Sequence, residues 1–166
     1  MAAGQGKERD VDPIRIGVIS DTHGRFDPAL PELFAGVAGI VHAGDVGSLD
    51  VLVALRAIAP VTAVRGNIDV SFGVADLPAE AVVAVEGRRL LVGHVRGTLL
   101  RRHEPAREGF ACVVTGHSHR FAEIWEDGVL HLNPGSAGIA RFGLPRSVAL
   151  LEVSGDGIAV TRVDME

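Results

Sequence analysis

The stretch Ile14–Gly24, IRIGVISDTHG, decides how the chain is read. Six residues, four of them isoleucine or valine, stop abruptly at a cluster of serine, aspartate, threonine, histidine and glycine. A short apolar run bounded by turn residues reads as a buried strand followed by a functional turn. The pattern recurs downstream. Gly39–Ala43 (GIVHA) ends at GDVGS, and Val61–Val64 (VTAV) ends at RGNID. Between these runs, Asp27-Pro28 predicts a helix start, with Asp27 as N-cap and Pro28 at the first helical position. Ser48 predicts a cap for a second helix carrying Leu49, Leu52, Val53, Leu55 and Ala57. Strands alternating with helices imply βαβ units and a mainly parallel sheet in this half.

The second half changes character. AVVAVEGRRLLVGH reads as two β runs around Glu86-Gly87-Arg88, and Thr98–Glu108 as a helix interrupted near Pro105. ACVVT, FAEIWE, VLHLN, VALLEV and IAVTRV are five more strand segments. Asp127-Gly128 is a two-residue hairpin signal, and Asp156-Gly157 marks another turn. Two sheets packed face to face with helices outside would bury this many apolar strands. The expected class is α/β, with residues 1–12 a loose polar leader and 13–166 one domain.

Composition narrows the function. The chain has 166 residues, enough for one sizeable core. Only 4% are aromatic, so that core is built from Val, Leu, Ala and Ile. The net charge is −5 and no run of Lys and Arg occurs, which argues against an extended nucleic-acid footprint. No apolar run approaches the roughly 20 residues of a membrane span. Cys112 is the single cysteine, so no internal disulfide can form and the cytoplasm is the expected compartment. It lies in an apolar run and reads as a core residue.

The strand ends carry the chemistry. After the first come Asp21 and His23; after the second, Asp45; after the third, Asn67 and Asp69; after RLLV, His94; after ACVVT, His117 and His119. Ligands bind beyond the carboxyl ends of strands in open α/β sheets. Carboxylate, imidazole and amide carbonyl are all ligands for borderline divalent ions, and no thiolate is among them. Seven of them, Asp69 set aside, exceed one tetrahedral site and match two ions roughly 3.5–4 Å apart that share a carboxylate. Two divalent cations, two aspartates and a bridging hydroxide leave about +1, which suits an anionic substrate such as a phosphoryl group. Taken singly, Asp-x-His or Gly-Asp is a common turn, and His42, His103 or His131 reads as packed or solvated. The joint order D-x-H, G-D, G-N-x-D, G-H, G-H-x-H is specific.

As a set, SDTHG, HAGDV, RGNID, LLVGH, TGHSH and NPGS resemble the calcineurin-like metallophosphoesterase superfamily. The likeness is to its small single-domain bacterial and archaeal phosphodiesterases, relatives of the eukaryotic retromer scaffold subunit, and spans Ile14 to Val153. It implies an α/β/β/α sandwich of two mixed sheets. It implies that Asp21, His23, His119 and Asp45 hold one metal, and that Asn67, His94, His117 and the bridging Asp45 hold a second. Asp45, Asn67 and His94 are also the catalytic positions it indicates. The expected reaction is hydrolysis of a small phosphodiester or nucleotide-like substrate by hydroxide formed at the metals. Mn²⁺ is expected, with Fe²⁺, Ni²⁺, Co²⁺ or Zn²⁺ as alternatives. Phosphomonoesterase activity and a non-catalytic scaffold are the rival expectations, and relatives suggest a homodimer.

One departure matters: many relatives have histidine after Gly-Asn, and here that residue is Ile68, which supplies no proton. Asp69 either orients a ligand or caps its turn. Asn133 and Ser136 read as turn residues more than substrate contacts, and Arg25, Arg96 and Arg141 as surface arginines.

Overall fold

A computed structural model describes residues 11–166. Most of the expected leader, residues 1–10, lies outside the described residues. Ten strands form two five-stranded mixed sheets. The first sheet contains β1 (Ile14–Ile19), β2 (Gly39–His42), β3 (Val61–Ala63), β9 (Arg146–Val153) and β10 (Ile158–Met165), in the order β10-β9-β1-β2-β3. The second contains β4 (Glu80–Val85), β5 (Arg88–Gly93), β6 (Cys112–Val114), β7 (Phe121–Glu126) and β8 (Val129–Pro134), in the order β4-β5-β6-β8-β7. β1, β2 and β3 are parallel as expected, but β9 joins antiparallel to β1, so the C-terminal hairpin completes the front sheet.

Three buried clusters make four layers. Ile16, Val18 and Val41 of the first sheet meet Leu90, Val92, Val114, Leu130 and Leu132 of the second between the sheets. Cys112 belongs to this core, and burial pushes its thiol up to about 12. The outer face of the first sheet is covered by α1 (Leu30–Leu33) and α2 (Leu49–Arg56), through Leu30, Phe34, Leu52 and Leu55. The outer face of the second is covered by the short α3 (Arg96–Leu100) and its following turns, over Leu91, Val113 and Val129. Among the described residues no helix is long and apolar enough to cross a membrane.

Three local expectations need correction. Asp27 is not the N-cap of α1. Its carboxylate accepts from the Ala29 amide (2.9 Å) and the Arg146 guanidinium (2.7 Å), and the helix begins at Leu30 as a single turn. The Thr98–Glu108 helix stops at Leu100. Pro105 cannot donate and would crowd the carbonyl four residues back, so the segment turns there instead. In α2 the Ser48 hydroxyl does cap, accepting from Asp50 at 3.1 Å. However, Val53 faces solvent, Val51 takes a buried place and Ala57 is the C-cap.

Candidate metal centre

The carboxyl ends of β1, β2, β3, β5 and β6 lie at one end of the sandwich, and the loops that leave them converge. Asp21 Oδ1 is 3.3 Å from His119 Nε2 and 3.9 Å from His23 Nε2. The two histidine nitrogens are 3.3 Å apart. Asp45 stands between two imidazoles: Oδ2 is 3.7 Å from His23 Nε2 and Oδ1 is 3.3 Å from His94 Nε2. Two groups therefore offer ligand atoms mutually within 4.8 Å: Asp21, His23 and His119, and Asp21, Asp45 and His94. The structure thus brings five of the seven sequence-identified residues into direct reach.

The other two sit at the rim. His117 is exposed, with its ring centroid 5.3 Å from that of His94. Asn67 is exposed on the loop after β3 and lines a cavity with His94, Arg65 and Arg102. Its neighbour Ile68 is 42% exposed and contributes a backbone amide, donating to Asp45 Oδ1 at 3.1 Å. Arg25 and Arg141 are exposed, and the positive charge of Arg141 is felt at His119.

The backbone is bent to make this cluster. Asp21, His23, Asp45, His117 and His119 all have positive φ, between 49° and 70°. Left-handed non-glycine residues cost of order 1–3 kcal/mol each and persist only where surroundings over-determine them. Two glycines permit the close approach. A Cβ on Gly66 would fall on the Asp45 amide and carboxylate, and one on Gly116 would fall on the Ser20 hydroxyl and beside Asp21.

A buried polar scaffold holds the loops, and sequence reading resolved little of it. His42, fully buried, bridges Thr22 Oγ1 (2.9 Å) and the Gly44 amide (3.2 Å). An amide at Nδ1 requires a lone pair there, so Nε2 carries the proton. Burial drives the pKa of His42 down to about 4 against the pull of Asp69. Asp69 accepts from the amides of Val46 (3.2 Å), Gly47 (2.8 Å) and Gly66 (2.7 Å), clamping the Asp45 loop to the Asn67 loop. It caps the turn and, by the same bonds, positions the backbone on either side of Asp45. Asn133 donates to the Gly116 carbonyl (2.8 Å) and the Ser118 hydroxyl (3.0 Å), while Ser136 donates to the Asp21 carbonyl (3.1 Å). NPGS is thus a buried brace for the loops that carry Asp21 and His117.

The cluster gathers carboxylates and acceptor atoms that no protein group among the described residues satisfies. Burial raises the Asp21 carboxyl above the usual range, against the Ser20 hydroxyl bond. Burial also opposes ionisation of Asp45, but the neighbouring His94 imidazole and the Ile68 amide outweigh it and hold that carboxyl at about 2. His94 Nδ1 donates to the Ala43 carbonyl at 2.7 Å, so its Nε2 lone pair faces Asp45. Asp21 Oδ1, His94 Nε2 and His119 Nδ1 are buried without a hydrogen-bond partner among the described residues. A buried carboxylate oxygen and an imidazole lone pair beside a second carboxylate are donor groups that fit a divalent cation.

The model of the calcineurin-like phosphoesterase superfamily domain matches residues 14–156. The chain belongs to this superfamily. A probable metallophosphoesterase of Methanothermobacter thermautotrophicus is 36% identical over 154 residues, covering 85% of this chain and 87% of the relative. Among solved structures, an archaeal phosphodiesterase superposes with a TM-score of 0.75 at 22% identity, covering 92% of this chain and 100% of that one. Vps29 of Entamoeba histolytica, solved with zinc, gives 0.70 at 23% identity over 91% of this chain and 99% of the other. Both confirm the sandwich fold. Superfamily membership and the acceptor cluster together make this a metal-dependent phosphoesterase.

Proposed function

We propose that this phosphoesterase is a dinuclear phosphodiesterase. Asp21, His23, Asp45 and His119 would hold one divalent ion, and Asp45, Asn67, His94 and His117 the other. The observation that carries this reading is Asp45, whose two oxygens face different histidines, His23 at 3.7 Å and His94 at 3.3 Å. When bound, such ions polarise phosphoryl oxygens and lower the pKa of coordinated water to roughly 7.

The chain's own residues supply the rest. The Ala43 carbonyl fixes the His94 tautomer, so that Nε2 is the free nitrogen. The Ile68 amide and the Asp69 clamp hold Asp45 in one orientation. Two aspartates against two divalent ions leave about +2, which draws an anionic ester into a protein whose net charge is negative. Ile68 brings no acid to the leaving group, so the enzyme favours diesters with acidic leaving groups, and rates fall steeply as leaving-group pKa rises. Oxygen and nitrogen donors admit several ions, and Mn²⁺ is the proposed one. The single, buried, unreactive thiol is in keeping with a reducing cytoplasm.

The test is metal analysis of the purified protein, followed by turnover of bis(p-nitrophenyl) phosphate and p-nitrophenyl phosphate with Mn²⁺. About two ions per chain and faster diester than monoester hydrolysis are expected. Preference for the monoester would make it a phosphatase. A scaffold reading is favoured by one observation: Val70, Phe72 and Phe142 are 81%, 88% and 83% exposed on loops flanking the site. Absence of turnover with every one of Mn²⁺, Fe²⁺, Ni²⁺, Co²⁺ and Zn²⁺ would leave that reading standing.

A further inference from the structure

The outer face of the second sheet is unevenly covered. In the β7–β8 hairpin, Ala122 pairs with Asn133, Ile124 with His131 and Glu126 with Val129, and these six lie on the outer face. Their alternates Phe121, Leu130 and Leu132 pack between the sheets. Val129 is sealed beneath the α3 region with Leu91, Leu99, Phe110 and Val113. Beside Ala122 and Ile124 the α3 region contributes only its start, Val95, Arg96 and Gly97, and Ile124 is 45% exposed.

What remains is a cavity of about 290 Å³. Its sides are Val95, Ala122 and Ile124, its charged lip is Arg96, and one wall is the Gly116–Ser118 loop. That loop carries His117, whose ring lies against His94. Arg96 is not a freely solvated arginine. Its guanidinium donates to Glu126 at 2.7 Å and, more weakly, to His131 Nδ1 at 3.4 Å, which holds it over the cavity. A mostly apolar hollow with one planar cation and a few polar groups is the usual form of a small-molecule subsite. Its contact with His117 makes it continuous with the candidate metal centre.

We propose that this cavity is the subsite for one ester group of the phosphodiester, and that the group it takes is a flat aromatic one. The inference rests on the phosphodiesterase reading and deepens it. The volume admits a single ring, the side walls are aliphatic, and the Arg96 plane can stack on a π-face. An aryl ester and a nucleoside ester share this chemistry.

Methyl NMR of the Zn²⁺-loaded protein, labelled at isoleucine δ1, tests it without turnover. Diphenyl phosphate is expected to shift the Ile124 methyl by ring current and to leave those of Ile68 and Ile139 in place. Dimethyl phosphate is expected to shift none of the three. The methyl ester of thymidine 5′-phosphate separates the sources: a shift at Ile124 extends the subsite to nucleosides, and silence restricts it to simple aryl esters. Ile124→Trp, which fills the cavity, is expected to raise KM for bis(p-nitrophenyl) phosphate about tenfold. Inhibition by inorganic phosphate, which has no ester group, should be unchanged.

Diester hydrolysis with a silent Ile124 methyl, or with Ile68 or Ile139 shifting instead, would overturn the subsite and leave the phosphodiesterase reading intact. Failure of every diester to bind or react would remove that reading and the subsite with it.

Discussion

The two ends of the sandwich use the same backbone conformation for different purposes. At one end, Glu86-Gly87 joins β4 to β5 and Asp127-Gly128 joins β7 to β8, with positive φ at all four residues. These turns are exposed, and a left-handed pair there matches the twist of the strands it connects. At the other end, Asp21, His23, Asp45, His117 and His119 are left-handed too. Asp21, Asp45 and His119 among them are buried, and no hairpin requires the bend. There the strain aims donor atoms at one point. The first end can lose its side chains cheaply, and the second cannot.

The largest expected difference lies in activity. Asp45→Asn removes the carboxylate that faces both histidines and should lower kcat/KM about 10³-fold, the equivalent of several kcal/mol of metal-assisted stabilisation. Asp127→Ala at the opposite end should leave kcat/KM unchanged. Circular dichroism must show both variants folded. Equal activity in the two would erase the distinction between the ends.

A smaller effect should follow from crowding the site end without replacing any proposed ligand. In Gly116→Ala the new Cβ meets the Ser20 hydroxyl and lies 2.7 Å from Asp21 Oδ2. Overpacking of this kind costs about 1–3 kcal/mol. Displacing a group that orients a ligand weakens metal affinity about 10–100-fold. Calorimetric metal titration and the Tm of the metal-free variant check the two numbers. Gly128→Ala, with nothing within 4 Å of its Cβ, should disturb only its turn.

What could be read in advance follows the physics of each signal. The strands were legible because apolar runs ending at glycine and polar residues leave a local mark. All ten lie within two residues of the expected segments. The pairing of β9 with β1 was not legible, since sheet order between strands over a hundred residues apart has no local pattern. The candidate ligands were visible as an ordered series of motifs, and the fold brings five of the seven within reach of one another. Their brace was not legible, because a buried, fully bonded His42, Thr22 or Ser136 looks in sequence like any other polar residue. Nor did periodicity show that Ile124 on β7 would be left half-exposed beside the start of α3.

That brace predicts a pH effect at the site end. The pKa of His42 is about 4 in the folded protein against 6.5 for an ordinary histidine. Between those values the unfolded chain binds a proton that the folded chain refuses, so stability falls as pH falls from 6.5 towards 4. The full contribution is about 3 kcal/mol. Urea unfolding of the chelated protein across this window should show the loss, and His42→Gln should flatten the slope. An unchanged slope in the variant would assign the acid sensitivity elsewhere.

The smallest effect belongs to the plain end and has the opposite sign. Glu86 is exposed and left-handed with φ 49°, ahead of Gly87 at 71°. Glutamate has no local hydrogen bond that favours this region, whereas asparagine tolerates it and asparagine-glycine is a preferred two-residue turn. Asp127-Gly128 already has a favoured pair, so only the first hairpin has room to improve. Glu86→Asn should therefore stabilise the protein by about 0.5–1 kcal/mol, read as a small rise in the urea midpoint, with diester turnover unchanged. A gain of similar size from Asp45→Asn would mean that both ends obey turn propensity alone. The expected loss of activity there, with no gain in turn quality, is what marks the second end as built for ligands.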